Sequence, residues 1–175
     1  MDLGLLLQSI VNSLVLSSMY IVVALGFALL LSIMGILNFA HGSIYMVGGY
    51  LCYQFTIEMG INQWLALLMS ALIMGLFGLF LEKFFFRPFQ GGDETRTIFV
   101  TLALIVILEG LTNVAMGGYK KSIPALVPGI LQYGYISVSW QKVITFGIGV
   151  IALISLLLFI RKTKTGKQML ATSQD

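Results

Sequence analysis

The chain has 175 residues, of which 58% are hydrophobic and only 10% charged, with a mean hydropathy of +0.98 and a net charge of +3. A soluble domain carries about 25% charged residues, so this composition excludes a water-soluble fold and requires an embedding lipid bilayer. Arg161, Lys162, Lys164 and Lys167 supply much of the basic excess; in a membrane protein such a cluster reports orientation, and no nucleic-acid partner is expected.

Five crossings are predicted, giving an all-α, polytopic membrane helical bundle with a membrane domain over 1–160. The first two lie in the stretch between Asp2 and Glu58, where 55 consecutive residues carry no Asp, Glu, Lys or Arg. One spanning helix needs about 20 apolar residues, so the stretch is divided into spans at about 6–33 and 38–57. The N-terminus holds Asp2, no basic residue and no small-residue cleavage site, so a removable signal peptide is not expected. In the first span Ser9, Ser13 and Ser17 share one face, which suits either a close helix contact or a polar path. Cys52 stands alone, which excludes an intramolecular disulfide and implies no metal cluster.

Between the two spans lies the polar, glycine-flanked break Gly35-Ile36-Leu37-Asn38-Phe39-Ala40-His41-Gly42, which holds the single histidine of the chain. Asn38 is a good N-cap for a helix beginning at Phe39, with its side chain on the amide of His41. A helix that starts inside the membrane directs free N–H groups and partial positive charge inward, as transporters do to hold a substrate carboxylate. A tight cytoplasmic turn and a buried, broken helix near 35–42 both satisfy the sequence. Tyr45, one turn after His41, extends the same face.

The third span is predicted at about 64–81, with Ala71, Gly75 and Gly78 as a packing seam. The fourth, at about 98–116, contains Glu109, a carboxyl whose depth is costly unless it faces protein; Asn113 shares its face and is its expected partner. The outer loop at about 117–139 is broken by Gly117-Gly118, Pro124 and Pro128-Gly129, and its weak alternation from Gln132 to Val138 suits a short hairpin or an interfacial segment. The fifth span is predicted at about 140–160. Trp64 and Trp140 stand at span ends as interfacial anchors. The basic residues divide seven to three in favour of the segments 82–96 and 161–167, so both segments are expected in the cytoplasm and the N-terminus outside. The chain shows no P-loop, nucleophile elbow or metal-ligand cluster, so neither an enzyme nor a cofactor is expected.

The segment from Gly35 through Asn38-Phe39-Ala40-His41-Gly42-Ser43 to Gly48-Gly49-Tyr50 closely resembles the most recognisable motif of the branched-chain amino-acid ABC transporter permeases. Ser18-Met19-Tyr20 to Gly26, Glu82-Lys83-Phe84 to Phe89, Thr101 to Glu109 and Thr165 to Asp175 resemble further segments of that family in order and spacing. Ser43 stands where the family commonly has an acidic residue, and Ala103 where it has glycine. The resemblance implies an inner-membrane permease subunit that pairs with a second permease subunit, two cytoplasmic ATPase subunits and an external substrate-binding protein to import hydrophobic amino acids. Under that implication Asn38, His41, Tyr45, Glu109 and Asn113 are candidates for the substrate pathway. Thr165, Gly166, Lys167 and Ala171, in the segment 161–175, are candidates for coupling to the ATPase. The family usually carries several more spans, so an N-terminal portion or truncated form is expected. A urea or short-amide permease and a non-transporting scaffold subunit are the alternative readings.

Overall fold

A computed structural model of the chain describes residues 3–34, 37–89, 94–134, 136–163 and 166. Five α-helices account for most of it: α1 (Leu3–Met34), α2 (His41–Tyr53), α3 (Gln63–Leu81), α4 (Glu94–Met116) and α5 (Trp140–Lys162), with a two-stranded hairpin, β1 (Ile130–Tyr133) and β2 (Ile136–Ser139), before α5. Helix is what lipid demands of these apolar runs, because it alone satisfies every backbone group within the segment. Four helical segments are long and apolar enough to cross a bilayer: Gly4–Leu31, Gln63–Phe86, Thr95–Met116 and Trp140–Lys162.

Contacts divide the chain into two compact units, the described residues within Ile33–Pro124 and those within Met1–Ser32 and Ala125–Asp175. In the second of these, α1 and α5 meet where Gly149 faces Ser18: a Cβ at Gly149 would lie 3.0 Å from Ser18 Cβ and 3.1 Å from its carbonyl oxygen. Val15 and Ser18 are the buried residues of α1. Ser9, Ser13 and Ser17 instead line an open groove with Leu5, Leu6, Ile10 and Leu14, so the polar stripe predicted as a possible contact lies off the seam. At the loop end of the unit the Gln8 amide pairs both ways with the β2 backbone, donating to Ser137 O at 3.0 Å and accepting from Ser137 N at 2.8 Å. Asn12 Oδ1 accepts from Lys142 Nζ at 2.9 Å. Of the two readings of the segment 132–138, a short hairpin is present, pairing Ile130–Tyr133 with Ile136–Ser139 and turning through Gly134 at φ 58°. Its base closes through the Trp140 amide on Gly129 O.

In the other unit α2 lies along α3 with antiparallel register. A Cβ at Gly48 would touch Met74 Cγ at 3.4 Å. Cys52, Ala66 and Ser70 are buried. This small-residue seam permits close approach of the two backbones. The seam predicted at Ala71, Gly75 and Gly78 is not used: Ala71 and Gly75 are exposed, and a Cβ at Gly75 or Gly78 would meet nothing within 4 Å. Small residues mark a seam only where the helix face turns them towards a neighbour.

The second element departs most from expectation. α2 begins at His41, not Phe39, and after Tyr53 it winds into a π-helical turn, Gln54–Glu58. At 13 α-helical residues plus five it is shorter than a full ~30 Å span. A second π turn, Glu82–Phe86, closes α3 and turns Phe86 inward, where it joins Ala40, Leu81 and Leu104 in the core. Asn62 caps α3, accepting from the amide of Trp64 at 3.0 Å; Trp64 and Trp140 are exposed in the first turns of their helices.

The Gly149–Ser18 contact yields a stability prediction. Gly149→Val should lower the stability of the detergent-solubilised protein by about 1–3 kcal/mol through overpacking, seen as a fall in its thermal transition. Gly147→Ala, where a Cβ meets nothing within 4 Å, should leave the transition nearly unchanged.

Candidate functional site

The break expected around 35–42 is present, and residues 35 and 36 lie outside the described residues. Leu37 and Asn38 are extended, Phe39 and Ala40 form a turn, and α2 starts at His41. Ala40 is the N-cap, and no side chain caps the helix. The Asn38 side chain therefore does not perform the capping role predicted for it. Its backbone carbonyl accepts the His41 amide at 3.2 Å, and Ala40 O accepts Ile44 N at 2.9 Å. Once the backbone turn takes the His41 proton, the side-chain cap has no donor left to collect there.

The amides of Gly42 and Ser43 find no acceptor among the described residues, as expected of a first turn without a cap. Gly42 is exposed, and its Cα faces open space. Asn38 is 3% exposed, and its Oδ1 has no hydrogen-bond partner among the described residues. Unpaired donors and an unpaired acceptor thus stand within one turn of chain.

The depth of this turn follows from its neighbours. Ala40 packs with Leu81 and Leu104. Leu81 lies six residues before Arg87, at most about 9 Å along the helix, and Leu104 lies eight residues after Arg96, about 12 Å. Both routes set the start of α2 roughly 10 Å inside the level of the basic residues.

Ser43 and Glu109 meet across α2 and α4. Ser43 is buried, and its hydroxyl donates to Glu109 Oε1 at 3.2 Å. Glu109 lies thirteen residues beyond Arg96, about 20 Å into its helix. Its partner is on another helix, so the local partnership predicted with Asn113 is corrected; Asn113 is exposed, and its carbonyl accepts Gly117 N at 2.9 Å. Glu109 is itself exposed, and the hydroxyl of Ser43 on α2 donates to it. Tyr45 is 65% exposed, about 200° round α2 from Ser43, and so is not gathered with the Ser43–Glu109 pair. His41 is half-buried at the head of the helix. The pairing role of Ser43 was not foreseen; the signal available for it was an intramembrane acid in need of a hydroxyl from the first turn of a neighbouring helix.

Of the predicted coupling residues, Thr165, Lys167 and Ala171 lie outside the described residues. Gly166 is buried, its amide donating to Thr163 Oγ1 at 3.0 Å. A Cβ there would come within 2.5 Å of Ile160 Cα, so residue 166 takes a side chain only with a shift against the end of α5.

Comparison with known sequences decides the family. The family described as "Branched-chain amino acid transport system / permease component" matches residues 9–175. The chain belongs to this family. It is similar to the high-affinity branched-chain amino acid transport system permease protein BraD of Pseudomonas aeruginosa, with 26% identity over 97% of this chain and 59% of BraD. It is also similar to the permease protein LivH of the corresponding systems of Escherichia coli K12 and Salmonella typhimurium, each with 24% identity over 97% of this chain and 59% of LivH. The chain thus spans about 59% of the length of these curated relatives. No solved structure matches it. The family match bears out the resemblance carried by the Asn38–Gly42 motif. Together with four membrane-crossing helices it makes this a multi-pass membrane protein.

The Ser43–Glu109 contact can be read out in membranes. In a Cys52→Ser background, Ser43→Cys with Glu109→Cys should cross-link with a short thiol reagent, while Tyr45→Cys with Glu109→Cys should not.

Proposed function

We propose that the chain forms the membrane path of an ABC importer for branched-chain amino acids, with ATP hydrolysed on separate subunits. The observation that supports this reading is the start of α2 in a chain of a permease family: an open position at Gly42, with the amides of Gly42 and Ser43 uncapped. The free N–H groups and dipole of such a turn suit the carboxylate of an amino acid. Asn38, His41 and Glu109 border the path, and Tyr45 and Asn113 extend it along the outer faces of α2 and α4. The transporter then comprises this subunit, a second permease subunit, two cytoplasmic ATPases and an external binding protein, the composition implied by an ABC importer permease. The tail after α5 contacts the ATPase in the inner-membrane assembly, since basic residues crowd it, and the N-terminus lies outside.

Two outcomes are expected. In cells stripped of their own branched-chain uptake systems, co-expression of the chain with its partner subunits should restore ATP-dependent uptake of radiolabelled leucine but not of urea. Gly42→Leu should lower that uptake at least about tenfold with the membrane level of the protein unchanged, because it fills the open turn at ~1.4 kcal/mol per decade. Urea uptake without leucine uptake would favour the short-amide alternative. For orientation, Lys121→Cys should react with an impermeant thiol reagent in whole cells, and Arg161→Cys only after permeabilisation.

A further inference from the structure

We propose that the groove between the end of α3 and the first half of α4 binds an anionic phospholipid. Phe84 and Phe85 of the π turn form one wall, and Val100, Ala103, Leu104 and Ile107 of α4 form the other, around a volume of about 330 Å³. Both walls belong to the same unit. From Val100 to Ile107 the groove runs roughly 10 Å along α4. An α-helix is about 10 Å across, and a single turn of one displaces roughly 420 Å³, so the groove is too slight to seat another helix. It suits one flexible acyl chain laid along α4.

Cations stand at the head of this groove. Arg96, Val100, Ala103 and Ile107 fall at i, i+4, i+7 and i+11, so Arg96 opens the same stripe of α4 that lines it. On the opposite wall Lys83 Nζ lies 5.7 Å from the centroid of the Phe84 ring, within reach of a cation–π contact. Lys83 and Arg96 are both exposed, and Glu82, the acid of the same π turn, is not among the lining residues. Lys83 stands near the end of one crossing segment, Gln63–Phe86, and Arg96 near the start of the next, Thr95–Met116. Both cations therefore lie at one membrane surface, with the apolar groove immediately inside it. Any lipid tail satisfies the groove, but only an anionic head group satisfies the groove and the cations together. Under the orientation proposed above the site faces the cytoplasmic leaflet, whose anionic lipids attract basic residues. A bound chain also supports α2. Phe85 and Val100 pack against the cluster of Ala40, Leu81, Phe86 and Leu104, so an acyl chain in the groove backs the floor on which the turn before α2 rests.

The test uses the detergent-solubilised chain, native mass spectrometry and three probes. These are dioleoyl-phosphatidylglycerol, dioleoyl-phosphatidylcholine, which carries the same tails under a zwitterionic head, and glycerol 3-phosphate, which is an anionic head without tails. Wild type should bind phosphatidylglycerol at least about tenfold tighter than either other probe. Lys83→Gln with Arg96→Gln should weaken phosphatidylglycerol by about tenfold to thirtyfold and leave phosphatidylcholine unchanged. Ala103→Trp, which fills the groove, should weaken both lipids. Lys120→Gln with Lys121→Gln, at the other end of α4, should leave phosphatidylglycerol unchanged. Equal affinity of wild type for the two lipids, or glycerol 3-phosphate bound as tightly as phosphatidylglycerol, would overturn the proposal. So would full binding by the Lys83 and Arg96 double variant or by Ala103→Trp, or an equal loss in the Lys120 and Lys121 double variant. Where Ala103→Trp fails to fold, the exposed Lys83 and Arg96 pair decides. The site needs only a membrane-embedded chain, so its absence leaves the transport reading untouched.

Discussion

The bilayer interior offers no water to a free backbone N–H, so a helix that begins there must have its first turn satisfied by protein or by cargo. Under the proposed reading α2 is such a helix, and side chains of α3 and α4 pack around its start. The π turn at the end of α3 swings Phe86 under Ala40, where Leu81 and Leu104 complete a small apolar floor. That floor holds the turn roughly 10 Å inside the basic residues. Ser43, two residues further on, ties the same turn to Glu109 on α4. Breaking either support would let the turn move towards the surface, where water would quench its unpaired groups and remove their value for binding.

The supports are built differently because lipid gives helices no hydrophobic reason to associate. Close packing of small residues does that work: Gly48 of α2 lies against Met74 of α3, and in the other unit Gly149 of α5 closes on Ser18 of α1. Some polar bonds lie towards helix ends, as with Gln8 on Ser137 and Lys142 on Asn12, while Ser43 on Glu109 joins two helices. At those ends they orient loops that apolar packing alone would leave free to slide. The π turns at Gln54–Glu58 and Glu82–Phe86 are the places where regular α geometry yields to these demands.

Much of this was legible in the sequence. Uninterrupted apolar runs located the long helices, because hydropathy over twenty residues is a local property. The glycine-flanked break showed itself as polarity in a charge-free stretch, and its Asn-Phe-Ala-His-Gly core carried the family resemblance. What was missed depends on facing, which one chain read alone does not reveal. Ser18 is the seam residue and Ser17 is not, although the two are chemically alike. Glu109 takes a partner 66 positions away, while the helical neighbour Asn113 looked equally suitable on spacing. Asn38 has every local mark of an N-cap, yet the backbone turn claims the His41 proton first. That a capping residue stands beside a helix it does not cap is the most informative departure, because local chemistry has been set aside at the one point where transport would need it.

The claim on which the account turns is that α2 starts within the membrane and not at its surface, and its depth can be measured directly. A nitroxide attached at Gly42→Cys, in a Cys52→Ser background in lipid bilayers, reports depth through its relative collision rates with oxygen and a water-soluble nickel complex. The account predicts a label roughly 10 Å or more below the phosphate level, given the helix rise from Arg96 and Arg87 to the Ala40 cluster. Labels at Arg87→Cys and Arg96→Cys should sit at the interface. A label at residue 42 that collides with the nickel complex as freely as those two would contradict it.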